Sequence, residues 1–291
     1  MQLSYSAKQE LGWWTQNIYS AYKSLVDSEI DLVIHTDASK RGWGITDHEN
    51  SSGGLWSTME CAQHINWLEL KAIEIGIKSF YKKHKHIQIF CDNTTAISYI
   101  NNMGGMQSQE CDSLSKEIWL WCCSREVWIS AAFIAGKENK VADHNSRCFN
   151  EGTEWQLNPA IFTKIIKDFY KPDIDLFASR INKQLERYVS WKPDPEAEAV
   201  DAFCLNWSTK TYYIFPPFSM ISKVAAKIRK DKASGILVIP DWPSQHWYPL
   251  VKELSKDCIR FKPSRDNLLH PQESCKEHPL APKMTLLAIT F

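Results

Sequence analysis

The sequence predicts an α/β fold: a mixed five-stranded sheet with flanking helices, followed by a second, smaller α/β domain. Three observations predict it. The apolar runs "DLVIHTD" (31–37), "WGITD" (43–47) and "GGLWS" (53–57) follow one another with only Gly and polar turns between, the pattern of an antiparallel meander. After them helical and strand-like patterns alternate, the pattern of parallel units covered by helices. Around 149–160 the composition turns polar, "FNEGTEWQLNPA", and a new alternation begins.

The elements follow in order. Leu11, Trp14, Ile18, Tyr22 and Leu25 recur at helical spacing and predict an amphipathic helix over 5–26. The three-stranded meander comes next. "INWLELKAIEIGIKSFYKKH" (65–84) predicts a helix, "IQIFCD" (87–92) a short strand, and "NTTAISYINN" (93–102) and "SQECDSLSKEIWLWCCS" (108–124) two more helices. "VWISAAFIAG" (127–136) predicts the fifth strand, with a short helix near 141–148. Pro159 starts a helix over 160–170. "DIDLFAS" (173–179), "YYIFPPFS" (212–219), "KVAAKIRKDK" (223–232) and "GILVIPDW" (235–242) then predict strand, strand end, helix and strand. The division is 1–29, 30–148 and 159–291.

Composition bounds the function. The 291 residues are 44% hydrophobic and 23% charged, enough apolar material for two cores. Lys+Arg and Asp+Glu are each 34. This balance excludes a strongly basic nucleic-acid binder, so any such binding is local. The nine cysteines form no CxxC pair and several lie in apolar runs, which predicts reduced, mostly buried thiols in an intracellular protein, in cytoplasm or nucleus. The polar start and the absence of an 18-residue apolar run predict neither a signal peptide nor a membrane span.

Four carboxylates stand out. Asp37 ends the first strand, Asp92 the fourth, and Asp143 sits at a loop-to-helix junction. Taken singly, each is an ordinary turn or N-cap aspartate. Glu69 is different. Its i+3, i+4 and i+7 neighbours are Ala72, Ile73 and Gly76, while Lys71, Glu74 and Lys78 lie on another face. A carboxylate facing small and apolar neighbours needs a cation or a buried salt bridge. Four hard oxygen donors with no His or Cys among them suit Mg²⁺ or Mn²⁺ better than zinc.

The order "TDAS…GWG", "LEL", "CDN" and "GKENKVADHNSR" resembles the RNase H domain that follows reverse transcriptase in retroelements, most closely the DIRS and gypsy-like retrotransposons. The resemblance covers roughly residues 30–148. It implies a five-stranded mixed sheet and two-metal hydrolysis of the RNA strand of RNA–DNA hybrids, with Asp37, Glu69, Asp92 and Asp143 as catalytic metal ligands for two Mg²⁺ or Mn²⁺ ions. It also implies a polymerase domain as partner, the helix at 5–26 resembling the connection after the polymerase thumb. One departure matters: the loop "AGKENKVAD" has no histidine, where many cellular relatives carry one, so either Lys137 or Asn139 substitutes or turnover is slow.

Substrate contacts are thinner. Lys78, Lys82, Lys83 and Lys85 form a solvated face or touch phosphate. Ser39, Asn93, Thr94 and Ser146 are candidates for bonds to phosphates or 2′-hydroxyls. Trp43 is expected to pack.

The stretch from "DIDLFAS" to "IPDWPSQHWYP" resembles the adenine-N6 DNA methyltransferase-like segment found after RNase H in DIRS-type elements, a Rossmann-like domain. Active enzymes of that class carry Asn or Asp, Pro, Pro and an aromatic at a strand end. Here the four are Phe215, Pro216, Pro217 and Phe218. Phenylalanine has no acceptor for an adenine amine. Asp175 and Asp201 face what is then a vestigial pocket, in a methyltransferase fold without methyl transfer that acts as a scaffold or nucleic-acid platform; the alternative is a purely structural α/β domain. Two other functions stand beside the nuclease. One is a silent retroelement-derived nucleic-acid-binding protein, which four retained carboxylates argue against. The other is an adenine methyltransferase, which Phe215 argues against.

Overall fold

The computed structural model describes residue 3 and residues 5–19, 29–149, 155–273 and 275–291. The chain opens with α1 (Tyr5–Asn17). The expected continuation of this helix through 20–26 lies outside the described residues. Leu11, Trp14 and Ile18 are more than half exposed, so the expected apolar stripe meets no core among the described residues.

The first sheet begins with β1 (Leu32–Ala38), β2 (Gly42–Thr46) and β3 (Ser51–Leu55). A short helix α2 (Thr58–Cys61) follows, closed by a capping box between Ser57 and Glu60. Then come α3 (Ile65–Phe80), β4 (His86–Cys91), α4 (Thr94–Asn101), α5 (Gln109–Cys123), β5 (Trp128–Phe133) and α6 (Lys140–Arg147). The strand order is β3-β2-β1-β4-β5. β1 runs antiparallel to β2 and parallel to β4, and β4 runs parallel to β5. The expected five-stranded mixed sheet is present, with boundaries shifted by a residue or two.

α3 lies across one face of this sheet. Ile34, Ile45, Leu68 and Ile73 are fully buried there, each contributing roughly 1.5–3 kcal/mol. A Cβ at Gly76 would come within 3.2 Å of Ile34 and 3.3 Å of Thr36, so glycine lets the helix settle on the strands. α6 packs on the other face against β2. A Cβ at Gly44 would lie 2.0 Å from the Ala142 carbonyl oxygen and 2.7 Å from the Ser146 nitrogen. The "GWG" run is therefore a cradle for α6. Its middle residue, Trp43, is a core side chain, 4% exposed, as expected.

A second assembly of elements follows, a five-stranded sheet with two separate two-stranded ladders. β6 (Gln156–Leu157), α7 (Pro159–Asp168), β7 (Ile174–Asp175), β8 (Val189–Ser190), β9 (Ala199–Val200), β10 (Thr211–Ile214) and α8 (Ile221–Asp231) come first. β11 (Ser234–Pro240), α9 (Tyr248–Leu254), β12 (Cys258–Phe261), β13 (Leu268–Leu269) and β14 (Leu286–Thr290) complete it. The order is β12-β14-β11-β10-β7, with β7, β10 and β11 parallel and β14 antiparallel to β11. β6 pairs with β13 in a separate two-stranded ladder, and β8 with β9 in another. Leu157 of β6 is buried in one cluster with Tyr213, Ile236 and Val238, so residues ahead of the expected start at 159 pack with this sheet.

Three expectations are corrected. The strand expected over 173–179 spans only Ile174–Asp175. The Asp175 carboxylate accepts the Phe177 and Gln184 N–H groups at 3.3 and 3.1 Å and turns the chain aside. The thiols are unpaired but not mostly buried: Cys91, Cys111 and Cys122 are, whereas Cys123, Cys148, Cys204, Cys258 and Cys275 are exposed at element ends and in loops. Asp175 also fails to line the pocket expected around Phe215, because both its oxygens are turned to that backbone.

Asp175 carries a pH prediction. Burial pushes its carboxyl up to about 7, against partial relief from the Gln184 and Phe177 N–H groups. The folded value lies above the unfolded one. The contribution is therefore full below about pH 4 and falls as pH rises towards 7, by about 4 kcal/mol in all. Urea midpoints measured from pH 4 to 8 are expected to decline for the wild type along this window. Asp175→Asn, which cannot ionise, is expected to flatten the decline, and an unchanged slope would refute the assignment.

No helix among the described residues is long and apolar enough to cross a membrane.

Candidate metal centre

The edge of the first sheet gathers three of the four singled-out carboxylates. Asp37 comes from β1, Glu69 from the first half of α3, and Asp92 from the residue after β4. One oxygen from each lies within 4.8 Å of the others. Parallel pairing of β1 with β4 brings their carboxyl ends side by side, which is why residues far apart in the chain converge here.

Each side chain is held differently. Asp37 is 4% exposed, and its Oδ2 accepts the Ser146 hydroxyl at 2.5 Å. Burial raises its carboxyl from the ordinary value, the Ser146 hydroxyl opposes this, and the charges of Asp92 and Asp143 add to it. Glu69 is also 4% exposed. Burial, then Asp37 and Asp92, push its carboxyl up to about 9, while the Ala38 N–H and Arg147 pull the other way. Its Oε2 has no hydrogen-bond partner among the described residues. The alternative of a buried salt bridge is not what the structure shows: among the described residues no Lys or Arg pairs with Glu69. Asp92 is exposed and is not the cap of α4, because Asn93 fills that position by accepting the Ala96 N–H at 2.9 Å. Asp92 is thereby left to face the other carboxylates.

Asp143 stands apart. It lies in the first turn of α6, behind Asn139 at the N-cap position, and its Oδ1 is paired with Arg147 Nε at 2.6 Å. It influences Asp37 through its charge. It is not among the oxygens that converge.

This donor set fits a divalent cation. The group is all oxygen, two of its three members are buried, and one buried oxygen has no other partner. Three carboxylates at such separations repel one another unless they are protonated or neutralised. Room is kept beside them: a Cβ at Gly136 would sit 2.9 Å from Asp92 Oδ2.

The expected substrate contacts sort into two groups. Ser39 and Ser146 are engaged internally. Ser39 Oγ donates to the Ser146 carbonyl at 2.6 Å and accepts the Gly42 N–H at 3.1 Å, which ties the β1–β2 turn to α6. Ser146 is fully buried and orients Asp37 rather than facing outward. Asn93 donates to Asn66 at 3.0 Å, and Thr94 is exposed beside it. Of the lysines, Lys78 is committed to Glu74 at 2.5 Å, whereas Lys82, Lys83 and Lys85 are exposed. Asn139 cannot take the place of a mobile loop histidine. It is 2% exposed and donates to the Thr36 carbonyl at 2.8 Å. Lys137 is exposed.

The role of Ser146 was hidden because the sequence places it 109 residues from Asp37. Ser146→Ala is expected to weaken divalent-metal affinity roughly 10–100-fold, the usual cost of releasing an oriented ligand. The thermal midpoint in EDTA should move little, and unchanged metal affinity would remove Ser146 from the site.

Phe215, Pro216, Pro217 and Phe218 follow β10 and line a cavity of about 320 Å³, with Asp201 on its wall. Asp201 caps the next turn by accepting the Phe203 N–H at 2.9 Å.

No protein-family model matches the chain, and no curated protein does. Among solved structures it is similar to LC11-RNase H1 in complex with an RNA/DNA hybrid, at 13% identity and TM-score 0.33 over 40% of this chain and 93% of that one. It is also similar to RNase H1 from the halophilic archaeon Halobacterium salinarum NRC-1, at 12% identity and TM-score 0.33 over 39% and 92%.

Proposed function

We propose that the chain is a divalent-metal-dependent endoribonuclease that cleaves the RNA strand of RNA–DNA hybrids. We further propose that it uses two Mg²⁺ or Mn²⁺ ions and comes from a retroelement reverse transcriptase polyprotein. The observation that carries this is the convergence of Asp37, Glu69 and Asp92 at one sheet edge, with a buried Glu69 oxygen left unpartnered. Bound cations would supply positive charge to activate a water and to stabilise the leaving oxygen of a phosphodiester. The chain's own part is positioning. Ser146 fixes the rotamer of Asp37, burial keeps Glu69 in place on α3, and Asn93 caps α4 so that Asp92 remains free. Asp143 joins the ligand set on this proposal by leaving Arg147, a partner that solvent reaches and that holds it weakly.

The second sheet is proposed to carry a methyltransferase-like domain without methyl transfer, because Phe215 offers no acceptor to an amine. Calorimetric detection of S-adenosylmethionine binding would argue against that.

The nuclease is tested by substrate comparison. End-labelled RNA–DNA hybrid, duplex RNA, duplex DNA and single-stranded RNA are incubated with Mg²⁺, Mn²⁺ or EDTA. Only the RNA strand of the hybrid should be cut, and only with metal. Cutting of duplex DNA, or cutting in EDTA, would overturn the proposal.

A further inference from the structure

A second cluster of polar groups lies between the elements of the two sheets. Arg180, from the loop after β7, reaches Glu60 of α2, and its Nη1 donates to Glu60 Oε1 at 2.7 Å. Its side chain is 13% exposed. The other Glu60 oxygen is occupied by Ser57, whose N–H and hydroxyl lie at 2.9 and 2.8 Å. Both Glu60 oxygens therefore already accept hydrogen bonds. Arg180 Nε and Nη2 are buried and have no hydrogen-bond partner among the described residues. These two nitrogens form one edge of the guanidinium, the edge that takes two oxygens of a carboxylate or phosphate side by side. The nearby acids are already engaged. Asp194 accepts the Tyr188 hydroxyl at 2.8 Å, and Glu196 pairs with Lys183 at 2.7 Å.

Arg180 lines a groove of about 30 Å³ between β3 and the segment 179–194, with Lys192 also on its wall. That space admits the oxygens of a ligand but not its body. The body has somewhere to go. Ser179, Ser190 and Trp191 line both this groove and the 320 Å³ cavity walled by Phe177, Phe203 and Phe215.

We infer that the junction is a binding site for a small ring-bearing oxyanion, its phosphate or carboxylate seated side-on against Arg180 and its ring in the aromatic cavity. This goes beyond the nuclease and uses none of its carboxylates.

Calorimetry on the full chain in EDTA tests it. The probes are a nucleoside 5′-monophosphate, the same nucleoside without phosphate, indole-3-acetate and inorganic phosphate. The monophosphate or the indole acid should bind, whichever it is naming the oxyanion. The bare nucleoside should bind at least about tenfold more weakly than its monophosphate if phosphate is the group. Arg180→Lys keeps a cation for Glu60 but loses the fork, and should weaken binding about tenfold or more while leaving the circular dichroism melt near that of the wild type. Should that variant unfold, Trp191→Ala supplies the test, weakening the ring-bearing probe but not inorganic phosphate. Binding that ignores both variants, or no binding of either ring-bearing probe at millimolar concentration, would overturn the site.

Discussion

Glu69→Gln is expected to abolish stabilisation by divalent cations while leaving the metal-free protein at least as stable as the wild type. Glu69 is 4% exposed, and its carboxyl is pushed up to about 9 by burial and by Asp37 and Asp92. Without a cation it is held protonated at neutral pH, which glutamine imitates in shape and charge. With a cation, the ionised form gains what burial withheld. A ligand at one hundred times its dissociation constant stabilises the folded state by about 2.7 kcal/mol. The wild type should therefore melt several degrees higher in Mn²⁺ than in EDTA, and Glu69→Gln should melt at the same temperature in both. Hydrolysis should fall by more than about 100-fold. A variant that is still stabilised by Mn²⁺ as much as the wild type would take Glu69 out of the ligand set.

Gly44→Val should be the most damaging substitution away from the carboxylates. The first carbon of any side chain there would lie 2.0 Å from the Ala142 carbonyl oxygen, which is backbone and cannot swing aside. α6 must move off β2, or the strand must bend. Overpacking of this kind costs typically 1–3 kcal/mol, and more when backbone is the obstacle. The functional loss should exceed the loss of stability. Moving α6 takes Ser146 from Asp37 and carries Asp143 away together. Urea unfolding of the variant should show a lowered midpoint, and the folded fraction should lack metal-dependent turnover. A normal midpoint with normal turnover would contradict the packing described for this helix.

The first sheet was legible because its signals are local. Alternation and turn residues marked β1 to β3, and helical spacing placed Glu69 on an inward face of α3 without any knowledge of the sheet. That Asp37, Glu69 and Asp92 belong to one site came from the resemblance, which also included Asp143, and not from any local pattern. What the sequence concealed are the long-range contacts. Nothing near Ser146 says that its hydroxyl reaches Asp37, and nothing near Asn139 says that its amide is spent on the Thr36 carbonyl. Asp143 shows the same limit from the other side: its motif is plain, yet its carboxylate rests on Arg147. In the second sheet the two-residue strand at Asp175 could not be read, because a buried carboxylate bonding to its own loop leaves no periodic trace. Arg180 and Glu60 lie 120 residues apart, beyond any pattern.

The most direct measurement places wild type and Asp92→Asn side by side on one labelled RNA–DNA hybrid with Mg²⁺ or Mn²⁺, both shown to be folded by circular dichroism. Cutting confined to the RNA strand in the wild type, and lost in the variant, is the expected result. Equal cutting by both proteins, or none by a folded wild type with either metal, would contradict the assignment of this carboxylate cluster as a hydrolytic metal centre.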